Sequence, residues 1–130
     1  MKLLDSNILI AALKGREPAV SRLREADPRE LAVPAIVVYE LEYGTLGAQG
    51  SRRKAMLNGL LSSLPEIPFD GPAAREAARI RAALERRGMT IGPLDLLIAG
   101  TAASRGAVLV TGNVKELERI EGLRLEDWTK

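Results

Sequence analysis

Strands alternating with helices along the chain predict an α/β domain with a mainly parallel central sheet flanked by helices, and three features carry that expectation. Short apolar runs at Leu3-Leu4, Leu31-Ala32-Val33 and Ala107-Val108-Leu109-Val110 have the length and composition of buried strands. The segments between them carry apolar residues at helical spacing. At 130 residues and 46% hydrophobic content the chain has material for one core of ordinary size, so a single domain over 1–130 is expected.

Each element has a local reason. Leu3-Leu4 reads as a strand end, and Asp5-Ser6-Asn7 supplies capping side chains before the apolar run from Ile8 to Leu13. Gly15 breaks that helix, and Val20, Leu23 and Ala26 mark a second one over 18–26. Pro34, after the second strand, suits the first turn of a helix over about 35–46. That helix should end near Gly47 and Gly50, and another over 51–64 should stop at Pro65, pairing with it as a helical hairpin.

Ile67-Pro68-Phe69 reads as a short extended piece. A helix over 73–87 turns Ala73, Ala77, Ile80 and Leu84 inward and closes at Gly88. Gly92-Pro93 opens a helix over 94–104 that is apolar nearly all round and should be buried on most sides. The strand ending at Val110 turns through Thr111-Gly112-Asn113 into a short helix reaching Leu117, and Leu123-Arg124-Leu125 reads as the last strand.

Composition removes several function classes. The chain contains no His, which excludes serine-hydrolase triads, histidine-based ribonuclease chemistry and histidine metal sites. It contains no Cys, which excludes disulfides, thiolate zinc sites and cysteine nucleophiles. Hydrolysis, if this chain performs it, is left to carboxylates. An acid at position 5 interrupts the first apolar run too early for a signal peptide or membrane span, so a soluble, cytoplasmic protein with no membrane association is expected.

The formal charge is only +2, from 19 basic and 17 acidic residues, and net charge alone does not argue for nucleic acid. Fourteen of the basic residues are Arg, whose planar fork suits phosphate. Arg52, Arg53 and Lys54 form one cluster, and Arg75, Arg79 and Arg86 share one side of a helix. An ordinary solvated face explains each cluster equally well.

Three acids stand inside the most apolar stretches. Asp5 lies between Leu3-Leu4 and Ile8-Leu9-Ile10, Glu40 follows Ile36-Val37-Val38, and Asp95 lies between Leu94 and Leu96-Leu97-Ile98. A carboxylate withdrawn from water costs several kcal/mol unless it is paired or bound to a cation. With neither His nor Cys present, the cation class that such a set can hold is a hard one, Mg²⁺ or Mn²⁺. Helical geometry puts Glu40 on a face with Ile36, Val37, Tyr43 and the small Gly44, leaving room for a ligand, whereas Glu42 faces away. Asp5, Thr111 and Asn113 all follow strands, where ligands of open α/β sheets gather.

Each residue also has a plainer reading. Asp5, Ser6 or Asn7 could serve only as an N-cap, Asp95 could complement its helix dipole, Glu40 could pair with an Arg, and Thr111 and Asn113 are common turn residues. The three acids taken together weigh towards metal.

The order Leu-Leu-Asp5-Ser-Asn-Ile-Leu-Ile, Val-Tyr-Glu40-Leu-Glu-Tyr-Gly, Gly-Pro-Leu-Asp95-Leu-Leu-Ile-Ala and Leu-Val-Thr111-Gly-Asn113-Val-Lys-Glu-Leu resembles the PIN-domain pattern of VapC-type toxins, over essentially the whole chain. The resemblance implies a three-layer PIN-like fold and an Mg²⁺ or Mn²⁺ site of Asp5, Glu40 and Asp95. It implies endoribonuclease activity as the toxin of a type II toxin–antitoxin pair, with a cognate antitoxin protein and a homodimer. Family members often carry a further Asp where this chain has Asn113, so at the fourth position Asn113 could orient a water or bind metal through its amide oxygen, or Glu116 could reach inward. Metal-assisted attack of water on RNA would leave 5′-phosphate and 3′-hydroxyl ends. With two Tyr, one Phe and one Trp, RNA recognition is expected to rest on Arg and RNA shape more than on stacking. Competing readings are a PIN-fold binding subunit without catalysis and a receiver-like phosphoacceptor module; the latter lacks paired acids after the first strand and a Lys after the last.

Overall fold

A computed structural model describes residues 1–46 and 50–130. The strands are β1 (Lys2–Leu4), β2 (Leu31–Pro34), β3 (Glu66–Ile67), β4 (Val108–Val110) and β5 (Arg124–Glu126), in the spatial order β3-β2-β1-β4-β5. Every pairing is parallel. The chain first builds outward from β1 to β2 and β3, then returns to the other side of β1 with β4 and β5. The reversal opens a crevice at the carboxyl ends of β1 and β4, where ligands of such sheets bind.

The helices are α1 (Ser6–Leu13), α2 (Ala19–Glu25), α3 (Ala35–Gly44), α4 (Gly50–Leu61), α5 (Gly71–Arg86), α6 (Pro93–Ser104) and α7 (Val114–Leu117). Leu3, Leu4, Leu109 and Val110 of the central strands are fully buried beneath them, with Ile8, Leu9, Val37, Leu57, Ile98 and Leu117 as the helical side of the core. The inner face expected for α5 is the one observed: Ala73, Ala77, Ile80 and Leu84 are all buried. Small residues there let α6 approach closely. A Cβ on Gly100 would stand 2.7 Å from the Ala77 Cβ and 2.8 Å from the Ala73 carbonyl oxygen, so even alanine overpacks this contact.

Several boundaries differ from expectation for physical reasons. Pro34 ends β2 and occupies the cap position before α3; its extended backbone places it in the strand and not in the first helical turn. Helix α4 stops at Leu61, before Pro65, because the hydroxyls of Ser62 and Ser63 donate to the carbonyls of Gly59 and Leu60 and help satisfy the helix end. α3 ends at Gly44, followed by a turn at Thr45; the break expected at Gly47 lies outside the described residues. α3 and α4 are joined by a Glu42–Lys54 ion pair and, with α1, line a cavity of about 240 Å³. The last strand is shifted one residue, to Arg124–Glu126, and a 3₁₀ turn at Pro28–Glu30, which no periodicity announces, precedes β2.

Candidate active site

The site is assembled where β1 and β4 end. Asp5 leaves β1 with its backbone N–H donating to Val110 O at 2.9 Å, and its side chain caps α1 by accepting from the Ser6 N–H at 2.7 Å. The plain N-cap reading of Asp5 is therefore correct as far as it goes. Its second oxygen, Oδ2, accepts from the Thr111 hydroxyl at 2.7 Å and, at 3.5 Å, from the Asn7 amide. Asp5 is 2% and Thr111 0% exposed, so this bond joins the two strand ends out of reach of water.

Thr111 continues the chain of contacts. Its Oγ1 accepts from the Asn113 backbone N–H at 3.0 Å and from Asn7 Nδ2 at 3.4 Å, while Asn7 Oδ1 accepts from Gly112 N–H at 2.9 Å. Asn7 thereby fixes the turn after β4. Asn113 Nδ2 donates to Asp95 Oδ2 at 3.2 Å and to Glu116 Oε2 at 3.3 Å. Both neighbours are acceptors, so the amide must turn its nitrogen toward them. Glu116 thus stands at the same edge as Asp95, joined to it through the Asn113 amide.

Asp95 sits in the first turn of α6, as expected, where the helix dipole also favours its charge. Glu40 reaches the same region from α3, half-buried, with Oε1 out of contact with solvent and lacking a hydrogen-bond partner. The alternative that it pairs with an Arg fails among the described ion pairs. Glu42, in contrast, has Lys54. Tyr43, expected beside Glu40 on an inward face, is 72% exposed; the buried side of α3 is marked by Val37 and Leu41 instead. Gly44 does line a cavity with Glu40, but neither Asp5 nor Asp95 borders it, so that cavity lies beside the acidic cluster and not within it.

The electrostatics tie these acids together. Burial pushes the Asp5 carboxyl above the usual range against the lowering effect of Thr111, Ser6 and Asn7. Burial raises Glu40 as well, with the Asp5 and Asp95 charges adding to it and the Ser6 hydroxyl opposing. Asp95 is raised by burial, then by Asp5 and Glu116, against the Asn113 bond. Acids that disfavour one another's ionisation this way form a negative pocket that a cation would relieve. Among the described residues no three of them close tightly enough to enclose an ion unaided.

Sequence reasoning underrates Asn113 and Thr111, whose residue types suit any turn. The available signal is their position after an inner strand; the contacts themselves depend on bringing residues 5, 95 and 111 together in three dimensions.

Comparison with known proteins agrees with this architecture. Residues 2–123 match the PIN domain family. The chain is 37% identical over 128 residues to the tRNA(fMet)-specific endonuclease VapC of Shigella flexneri, covering 98% of this chain and 97% of that protein. It is 35% identical over 131 residues to ribonuclease VapC2 of Rickettsia felis, covering 98% of each. Its fold superposes on the DNA-bound VapBC of Salmonella typhimurium with a TM-score of 0.91 and 37% identity, over 98% of this chain and 97% of that one. With the parallel sheet, its crevice and the carboxylates gathered there, the matches establish that the chain belongs to the PIN-domain family, in its VapC group.

Proposed function

We propose that this chain is a metal-dependent endoribonuclease and the toxin of a toxin–antitoxin pair, with Asp5, Glu40, Asp95 and Glu116 as its acidic site. The observation that carries the reading is Glu40 Oε1, a buried carboxylate oxygen with no partner beside two further carboxylates whose charges it feels. An unpaired buried acceptor of this kind calls for a cation or a proton. A bound Mg²⁺ or Mn²⁺ would lower the pKa of water and offset charge on the scissile phosphate.

The chain's own groups have distinct tasks. Ser6 N–H and the Thr111 hydroxyl hold the two oxygens of Asp5 in fixed directions. The Asn113 amide sets Asp95 and Glu116 at a common edge. Glu40, its carboxyl raised above the usual range by burial and by the Asp5 charge, is suited to accept a proton from attacking water. Ser6 and Asn7 support the cluster by orienting Asp5 and the turn at Gly112. The binding-subunit alternative draws on the Asn at position 113, but Glu116 supplies the carboxylate that Asn113 does not.

The substrate class is RNA, with transfer RNA the first to test because the Shigella relative is named for it. A cognate antitoxin protein, as in the VapBC pairs, and a homodimer belong to the same proposal. Among the described residues no helix is long and apolar enough to cross a membrane.

Incubation with transfer, messenger and ribosomal RNA in Mg²⁺ or Mn²⁺ is expected to give cuts with 5′-phosphate and 3′-hydroxyl ends, suppressed by chelator. Intact RNA of all three classes in both metals would overturn the reading. Calorimetry with Mn²⁺ checks the metal separately: binding should be present in the native chain and absent after Asp5→Asn.

A further inference from the structure

We infer that Arg86, Arg87 and Arg119 form an exosite for phosphate groups that holds the RNA backbone beyond the cleavage position; this rests on the nuclease reading above. The sequence places Arg86 on a helix face with Arg75 and Arg79. The structure regroups it. Arg79, Arg86, Arg87 and Arg119 border a concavity of about 370 Å³ between the end of α5 and the chain after α7, together with Glu76 and Glu121.

The charges there are unequally matched. Arg79 is taken up by Glu76 in an ion pair. Arg86, Arg87 and Arg119 have no carboxylate partner among the described ion pairs. Two of them are nevertheless held in place: Arg87 Nη1 donates to Arg119 O at 2.7 Å, and Arg119 Nη1 donates to Thr90 O at 3.1 Å. A carbonyl anchor orients a guanidinium without neutralising it. Most of the five N–H donors of each Arg remain available, and the entropy of ordering the side chain is already spent. That combination suits a polyanion whose charged oxygens repeat along a chain.

The location links this surface to the cleavage site. Arg119 lies in the turn after α7, its backbone N–H donating to Glu116 O at 3.2 Å, and its anchor Thr90 lies on the short connection leading to Asp95. A strand whose scissile phosphate meets Asp95 and Glu116 would therefore pass next to these guanidinium groups. Such a track also offsets a difficulty of the site, since clustered carboxylates repel RNA and an adjacent positive surface draws it in.

The test compares a structured substrate with one too short to reach. Native chain, Arg86→Glu, Arg86→Lys and Arg87→Ala are assayed with transfer RNA and with a tetranucleotide containing the same cut site. Arg86→Glu is the cleanest variant because the Arg86 side chain has no hydrogen bond or ion pair among the described residues. It should raise KM for transfer RNA roughly tenfold with kcat unchanged, and flatten the dependence of log KM on log salt by about 0.7 to 0.9 for each phosphate no longer engaged. Arg86→Lys should recover most of the affinity, and the tetranucleotide should respond to none of these changes. Equal effects on both substrates, or none on either, would overturn the exosite. So would failure to retain a copurifying protein partner with RNA kinetics unchanged, which would assign the surface to that partner. If the native chain cuts neither RNA, the nuclease reading itself has failed, and that outcome is distinguishable from the others.

Discussion

The two halves of the acidic site are built on opposite plans. Around Asp5 both carboxylate oxygens are occupied, the partners come from α1 and the end of β4, and the contact is sealed from water. Around Glu40 one oxygen has nothing to accept from, and the neighbouring surface opens into a cavity. A fully bonded acid is fixed in direction even where burial disfavours its charge; an unbonded one keeps an acceptor open to an incoming group. In the proposed site, the difference would make one half the part that positions and the other the part that receives a cation.

Substitution at the fixed half should have the largest effect on activity. Asp5→Asn keeps the shape and one acceptor oxygen, yet removes the charge that the cluster is arranged around. Cleavage should fall by about 10³-fold or more, with the circular dichroism spectrum unchanged. Full activity would remove Asp5 from the site, and the same holds for Asp95→Asn.

Glu40→Gln attacks the waiting half and should separate activity from stability. Loss of a proton acceptor lowers kcat by about 10²-fold or more, while the metal-free protein becomes more stable because an unmatched buried charge is gone. The pH dependence has a definite sign. Asp5, Glu40 and Asp95 all have folded pKa values raised above the ordinary 3.8 for Asp and 4.5 for Glu. Their favourable contribution is complete below those values and is lost as pH rises through the raised ones. As pH rises above the ordinary carboxylate values the metal-free Tm should therefore fall, and Glu40→Gln should lessen the fall. Mn²⁺ should restore Tm at neutral pH and do little near those ordinary values; a Tm indifferent to Mn²⁺ throughout would contradict the shared negative pocket.

Thr111→Val tests whether the bonded network matters beyond the acids. The isosteric change removes the donor to Asp5 and the acceptor for Asn113 N–H while keeping the buried volume. Activity should drop about 10- to 100-fold, the range seen when groups that orient ligands are removed. A drop no greater than that of a surface substitution would mean that Asp5 is held well enough by α1 alone.

Much of this is legible in the sequence, and the limits follow from particular residues. The inner face of α5 can be read because Ala73, Ala77, Ile80 and Leu84 obey one helical period. Asp5 and Asp95 can be read because acids interrupt apolar runs. Tyr43 is misplaced because α3 has apolar or aromatic residues on several faces, and periodicity cannot rank faces that are all apolar. The joining of Asn113 to Asp95 and Glu116 stays open because it links the end of β4 to α6, and a turn residue carries no record of its spatial neighbours. Arg119 gives no signal either, since it donates to one backbone carbonyl and offers its own to Arg87, groups that every residue possesses.

An acid away from the site provides the contrasting pH behaviour. Asp70 caps α5: Oδ1 accepts from the Ala73 N–H at 3.1 Å and Oδ2 from Arg105 at 2.9 Å. The Ala73 bond, with Arg105 adding to it against partial desolvation, holds its pKa below the usual value. Its contribution is therefore present above the ordinary carboxylate pKa and lost as pH falls through the depressed one, opposite in sign to the cluster. Asp70→Ala should lower Tm by roughly 2 to 5 °C at neutral pH, less in acid, and leave cleavage unchanged. The pair of measurements distinguishes acids by what surrounds them: removing charge from Asp70 should destabilise most where removing it from Glu40 stabilises most. If both substitutions shift Tm in the same direction at neutral pH, the division between bonded and waiting carboxylates does not govern this fold.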